Sequence, residues 1–506
     1  MRASIAYRSE IILALLERCG TTATLAVGGG GLALSYMAWR AVDANAAPYI
    51  AALALVPSLL VGVLGAFATW IFVAAVAQKR WHIDLVAALR ASAPAYVGLL
   101  ASPALALTVW RDRGSTPEFV AGALFAIGSI AAIARFDVAT RVAVGICALA
   151  KVPVVAVIAL SVAFLPTHGS HHPILSMNPL LNAFARWDGV HYLEIARSGY
   201  RGTDVAFFPL YPVLVRIFGA LFGSDLVAAI AISNAASLTA AYFLYRLAEA
   251  QFDESTAARV VLYAALFPTA FFLSSAYSES LFLALTLAMF WSLRENRFLS
   301  AGFLGGLATL TRVEGVLLLV CYIVEILSPE RELWASIATS AGVRRHLAIG
   351  AAMIPAGLVA FMALLWILDG DPLAFTHVQA HWNRHLDFPW TSLWRSFHLI
   401  IASRDLPTIA GQCIELAFTV LLVTTAVVGL RRMRPSYSAY ALMSIVVPLS
   451  SSSLMSTPRF ALAVFPMFFV LAIWGRNDQT HTIILAWMLP LLGLFTALYA
   501  NWYWVA

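Results

Sequence analysis

The chain has 506 residues, 61% of them hydrophobic and 11% charged, with a mean hydropathy of +0.84 and a formal net charge of +6. A soluble protein of this length needs far more charge to cover its surface, so lipid is the main solvent and a water-soluble enzyme is excluded. No polar stretch is long enough to form a separate soluble domain. The positive charge is almost all arginine, Lys79 and Lys151 being the only lysines. Coding bias explains that preference, and so does phosphate recognition through the planar guanidinium fork. Cys19, Cys147, Cys321 and Cys413 lie far apart in apolar surroundings, with neither metal-ligand spacing nor a disulfide framework.

The opening run MRASIAYRSEIILALLERCG is interrupted by Arg8, Glu10, Glu17 and Arg18. It therefore reads as an amphipathic helix on the membrane surface and not as a cleavable signal peptide. Apolar runs follow at 22–39, 50–76, 91–109 and 118–135, which make 1–140 an additional N-terminal set of spans. The core, 141–506, carries runs at 141–165, 226–248, 257–275, 277–294, 298–311, 313–328, 346–368, 411–430, 437–453, 459–475 and 482–504. The expected fold is all-α, a polytopic bundle of about 13–15 spans.

Orientation follows from the basic loops, which stay in the cytoplasm. With a cytoplasmic N-terminus, Lys79–Arg80, Arg294–Arg297, Arg344–Arg345 and Arg431–Arg434 all fall inside. Two long loops, 166–225 and 369–410, are then left on the outer face. Both are rich in aromatic, His, Arg and Asp residues, and ordered loops of that length are usually functional.

The first loop holds the densest polar cluster, ARWDGVHYLEIARSGY over 185–200. On a helix Asp188 and Tyr192 stack at i and i+4, with His191 alongside at i+3. A carboxylate under an apolar roof can be tuned into a general base by partial desolvation. A plain surface helix facing headgroups is the competing reading. The Pro-interrupted run 207–223 is too short for a confident span and predicts a re-entrant or interfacial helix. At Thr311-Arg312-Val313-Glu314-Gly315 a very long apolar run breaks near the outer face. In the second loop, His377, His381 and His385 fall at i, i+4 and i+8. With only Asp387 among them, an amphipathic surface helix is favoured over a metal site. No internal repeat is visible, which weighs against a transporter.

The run RWDGVHYLEIARSGY followed by FFPLYP resembles the PIG-V-type mannosyltransferases, which add the second mannose in GPI-anchor synthesis and have many bacterial relatives. The blocks at 266–291, 301–319 and 456–468 are similar to the same family, so the resemblance covers roughly 141–475 in order. It implies a GT-C fold with an outer-face active site, a polyprenyl-phosphate hexose as donor, typically mannose, and Asp188 as catalytic base. The spans over 1–140 depart from the family pattern and leave the acceptor, lipid- or glycan-linked, undefined.

The implied reaction is an inverting displacement at the anomeric carbon (compare the hydrolytic case). Trp187, His191 and Tyr192 would support Asp188. Arg312, Arg459 and Arg384 would hold the phosphate, arginine being able to bind two oxygens at once. Snorkelling to headgroups is the plainer reading for each. Glu279 matches the family's second block and would orient His191 or bind sugar hydroxyls, although a carboxylate at a helix start also satisfies the dipole. Gln379, Trp382 and Arg384 match family positions in the second loop. No cofactor, metal or nucleic-acid partner is predicted. A divalent cation finds no support in the sequence, and a protein partner is undefined. Two alternatives stand beside this reading. One is a GT-C transferase for another sugar and acceptor. The other is a lipid-linked sugar flippase, which predicts charges buried along its spans.

Overall fold

The computed structural model describes residues 137–169, 172–176, 178–328, 340–382 and 384–505. The amphipathic opening segment, the four apolar runs of the N-terminal set and Lys79–Arg80 lie outside them. The chain divides into two compact units, 1–159 and 160–506. Helix α1, Val138–Phe164, supplies the described part of the first unit and runs on into the second.

Every regular element of the second unit is helical among the described residues. The elements are α2 (Asp188–Ser198), α3 (Leu210–Phe222), α4 (Asp225–Gln251), α5 (Glu254–Ala265), α6 (Glu279–Arg294), α7 (Phe298–Thr311) and α8 (Leu318–Leu327). There follow α9 (Ala341–Asp369), α10 (Pro389–Ala402), α11 (Leu406–Gly429), α12 (Pro435–Leu449), α13 (Thr457–Ala461), α14 (Phe465–Trp474) and α15 (Asp478–Ala500). Single turns occur at Pro179–Asn182 and Ala374–His377. Among the described residues five helices, α1, α4, α9, α11 and α15, are long and apolar enough to cross a membrane. Large side chains such as Leu221, Ile367, Val420 and Ile483 stand exposed, as a lipid-facing surface requires.

The expected interfacial segment at 207–223 forms the 13-residue α3. At 1.5 Å per residue it reaches about 20 Å, short of the hydrocarbon thickness. It buries Tyr211, Val215 and Gly219 and leaves Ile217 and Leu221 outside.

Two expected spans are shorter than the hydropathy suggests. The run 257–275 stops as a helix at Ala265, three residues before Pro268, and continues as a tight turn at Ala270–Leu273. Ser274, Ser275 and Ser278 are buried there, so this irregular backbone is lined by protein. The run 459–475 divides at Pro466 into α13 and α14. The histidine stripe also departs from one amphipathic helix, because Ala374–His377 passes into a 3-10 turn at Val378–Trp382.

The helices alternate between two ends of the second unit. Helix α6 starts at Glu279 and ends at Arg294, and α7 returns from Phe298 to Thr311. The Tyr322 hydroxyl donates to the Phe298 and Leu347 carbonyls, while Arg434 and Ser436 both donate to Glu325. Those bonds gather the ends of α7, α8, α9 and α12 near the Arg294–Arg297 and Arg431–Arg434 clusters. The opposite end collects Asp188, Glu279, Arg312 and Arg459. Glycine lets α7 lie against α9: a Cβ on Gly302 would overlap the Gly350 backbone, and one on Gly306 would stand 2.5 Å from the Met353 carbonyl oxygen. Such close approach is the membrane route to strong helix packing without polar side chains.

Candidate active site

Helix α2 presents Asp188 because the chain turns sharply just before it. Trp187 takes φ 50° and ψ −119°, an unfavourable conformation for a side chain of its size, and Gly199 ends the helix at φ 76°. Asp188 thus stands in the first turn, where a carboxylate complements the helix dipole. The loop before it is tied down from far along the chain. Arg186 Nε donates to the Ala500 carbonyl at 2.9 Å, and the Tyr277 hydroxyl donates to the Arg186 carbonyl at 2.9 Å.

Asp188 is one member of a chain of charges. Arg459 Nη1 donates to Asp188 Oδ2 at 2.6 Å, and Arg459 Nε lies 3.3 Å from Glu279 Oε1. Arg312 Nη1 donates to the same Glu279 oxygen at 2.8 Å, and its Nε lies 3.5 Å from Glu314 Oε2. The side chains of Glu279 and Arg459 are 5% and 8% exposed, so these pairs are shielded from solvent. Glu279 therefore bridges two arginines instead of orienting His191.

Arg384 joins the group differently. Arg312, Arg384 and Arg459 lie around the Phe460 ring, at 5.5, 5.8 and 5.4 Å from its centroid. Arg384 Nη2 donates to the Met455 carbonyl at 3.1 Å, and its buried Nε has no acceptor among the described residues. No carboxylate there comes within ion-pair distance of it. Burial, and then the neighbouring charge of Arg459, push its pKa below the ordinary value.

One carboxylate of this site escapes sequence reasoning. Glu415, 6% exposed on α11, accepts the backbone N–H groups of Ser456 and Thr457, each at 3.0 Å. Ser456 sits at φ 75°, and Arg459 follows on the short α13. Glu415 thus anchors the turn that aims Arg459 at Asp188. Its only signal is a single acid inside an apolar run, where an intramembrane charge marks function by default.

The other expected residues take different places. His191 Nδ1 lies 2.9 Å from Asp204 Oδ1 and the ring stacks on Phe207. Tyr192 leaves the polar face: it is 5% exposed, packs against Phe207 and Tyr211, and shares a 2.7 Å hydrogen bond with Ser278. Gln379 donates to the Phe375 carbonyl within its own turn. Trp382 closes the adjacent 3-10 turn. The ligand atoms of His191, Glu194 and Asp204 lie within 4.8 Å of one another, so a divalent cation would find three donors there. Glu194 is exposed and Asp204 is already engaged by His191.

Beside Asp188 opens a cavity of about 420 Å³ lined by Pro173, Trp187, Asp188, Val190, His191, Met455, Trp502 and Trp504. Trp502 and Trp504 were expected inside the last span. Helix α15 instead ends at Ala500, and Trp502 turns with φ 66°.

These features define a polytopic, all-helical membrane protein with a buried carboxylate–guanidinium cluster and an aromatic cavity at one end. Residues 173–368 match the family model described as Mannosyltransferase (PIG-V). The GPI alpha-1,6-mannosyltransferase 2 of Cricetulus griseus is 34% identical over 152 residues, which cover 27% of this chain and 30% of that protein. The GPI mannosyltransferase 2 of Schizosaccharomyces pombe is 30% identical over 144 residues, covering 27% of this chain and 31% of that protein. The matched segment thus spans about 30% of the length of these curated relatives. Among solved structures, ArnT from Cupriavidus metallidurans bound to undecaprenyl phosphate is 16% identical, with a TM-score of 0.42, over 67% of this chain and 62% of that one. The oligosaccharyltransferase of Archaeoglobus fulgidus is 13% identical, with a TM-score of 0.32, over 69% of this chain and 53% of that one.

Proposed function

We propose that this protein is a GT-C-like glycosyltransferase of the extracytoplasmic face. It would move a hexose, mannose by family, from a polyprenyl-phosphate sugar to an acceptor hydroxyl with inversion. The observation that carries the reading is the juxtaposition at Asp188: an aromatic cavity opens beside it and three arginines gather around the neighbouring Phe460, Arg384 having no carboxylate within ion-pair distance among the described residues. Asp188 takes the acceptor proton as the acceptor oxygen bonds to the anomeric carbon and the bond to the phosphate oxygen breaks. With Oδ2 held by Arg459, Oδ1 is the oxygen left for the proton.

Arg384 supplies charge for the departing phosphate. Burial and Arg459 both disfavour its cationic form, and an incoming anion offsets that penalty. Arg312 and Arg459 are neutralised by Glu279, Glu314 and Asp188, so their part is to fix the geometry and the local field. Preorganised charge of this kind acts without reorganising during the reaction. The outer-face assignment is supported by the arginine clusters gathering at the opposite end of the second unit.

The test uses purified protein in nanodiscs with radiolabelled polyprenyl-phosphate mannose and candidate lipid acceptors. Wild type is expected to transfer label and Asp188→Asn to lose transfer. Equal turnover by both removes Asp188 from the mechanism. Transfer from a nucleotide sugar in place of the lipid donor overturns the donor class, and a cysteine at 188 labelled only from the cytosol overturns the sidedness.

A further inference from the structure

The cavity beside Asp188 contains chemistry that base and phosphate leave unused. Its polar lining is Asp188 and His191, and the rest is Trp187, Trp502, Trp504, Pro173, Val190 and Met455. No arginine lines it, and the Arg459 behind Asp188 is already paired with that carboxylate and with Glu279, so the cavity offers an entering anion no uncommitted cation. A lipid chain would strip water from Asp188 and His191 and return no hydrogen bond. A neutral ring with hydroxyls at its rim and C–H bonds on its face suits both halves of the lining. That is the chemistry of a pyranose, whose C–H groups meet the negative face of an indole.

The three tryptophans are not equivalent. Trp502 is 7% exposed, stacked on His172 at 4.2 Å, with the Arg186 guanidinium 4.9 Å from its ring centroid. It is a fixed mount. Trp504 is 42% exposed and meets Trp187 edge-on, at 5.2 Å and 88°. Its exposed part borders the cavity, where an occupant can reach it. In the displacement proposed above, the acceptor approaches opposite the leaving phosphate, and its hydroxyl must reach the base. The cavity lies at the base and holds none of the arginines.

We propose that Trp504 is the specificity-determining platform on which a sugar ring of the acceptor stacks. The segment 501–505, held by Trp502, then selects the acceptor. This rests on the transferase reading, and its test is built to fail separately from that reading. Full-length protein in detergent is titrated with methyl α-D-mannopyranoside, and saturation-transfer NMR reads contact with the ring protons. Wild type is expected to give saturable transfer that inorganic phosphate does not displace. Trp504→Ala should bind roughly tenfold more weakly and Trp504→Phe within about threefold, as loss and retention of an aromatic face imply. Matching melting temperatures for the two variants exclude a folding effect. Absent binding by wild type, unchanged binding by Trp504→Ala, or equal binding of cyclohexanol each overturns the proposal. In the transfer assay, Trp504→Ala should raise the acceptor KM about tenfold and leave the donor KM alone. A shift in donor KM instead overturns the assignment. If wild type transfers no sugar, the transferase reading falls while the binding arm still decides the role of Trp504.

Discussion

The second unit carries a buried carboxylate–arginine cluster at each end, and the two are built to different ends. At one, Glu325 is 1% exposed and accepts from both Arg434, at 2.8 Å, and Ser436. Helices α8 and α12 are clamped together there. At the other, Asp188, Glu279 and Glu314 face Arg312 and Arg459, with Arg384 added beside them and an aromatic cavity opening at Asp188. The second has room beside it to receive a ligand. Buried ion pairs alone say little about function, since their desolvation penalty can cancel their attraction. What separates these two is the cavity that opens at Asp188.

The comparison can be broken by substitutions whose effects should differ in kind. The largest effect expected is on turnover: Asp188→Asn should lower kcat by about 10²–10⁴-fold, the usual contribution of a positioned base. Its melting temperature should stay near that of wild type. Glu325→Ala should do the reverse, losing about 3–5 kcal/mol of stability by removing the buried acceptor that Arg434 and Ser436 share. Its kcat, measured per folded molecule, should hold. Should Asp188→Asn unfold the protein, or Glu325→Ala remain fully stable, the division between site and clamp fails.

Arg384→Gln sharpens the comparison further. Losing a charge-assisted contact of about 1.5–3 kcal/mol predicts a drop of roughly 10–100-fold in kcat/KM for the lipid donor. Arg384→Lys should recover part of that, because the charge returns without the fork. Donor kinetics insensitive to either change would move the phosphate elsewhere.

The smallest effect concerns a pair at the clamp end. Asp253 caps α5 through Thr256 and lies 2.6 Å from Arg476. Burial pulls its pKa upward, but the Thr256 N–H and hydroxyl, with Arg476, outweigh that and hold it below the ordinary carboxylate value. Because the folded value is the lower one, its contribution is complete above about pH 4 and fades as pH falls through the native pKa. Asp253→Asn should therefore melt earlier at neutral pH by well under 1 kcal/mol, since the pair is half exposed, and the gap to wild type should close in acid. A gap that widens on acidification would show the sign to be wrong.

Much of this site is legible in the sequence because its polar residues interrupt apolar runs. Asp188, Glu279, Arg312 and Arg459 each stand where an otherwise lipid-soluble segment turns polar, and the fold brings all four together. Helix existence was legible for the same reason, while lengths failed at Pro268 and Pro466, where hydropathy continues but the backbone cannot. Tyr192 was misplaced because spacing predicts a shared face and not which way that face points. Glu415, Trp502 and Trp504 were missed because their roles exist only across long separations. Arg186, for instance, meets Ala500 over 314 positions. Before the fold is known, hydropathy simply carries Trp502 and Trp504 into the last span, 482–504.

The glycine contact between α7 and α9 has one more consequence. Helix α9 has 29 residues, about 43 Å at 1.5 Å each, and so exceeds a hydrocarbon layer of about 30 Å. It must lean or protrude, and how far depends on the thickness of the bilayer around it. With the Gly302, Gly306, Gly350 and Gly357 backbones in van der Waals contact, α7 has no slack to slide against it. The two helices lean as one beam, and Arg312 at the tip of α7 travels with them. Bilayer thickness thus becomes a mechanical input to the spacing between Arg312 and the pair on Asp188.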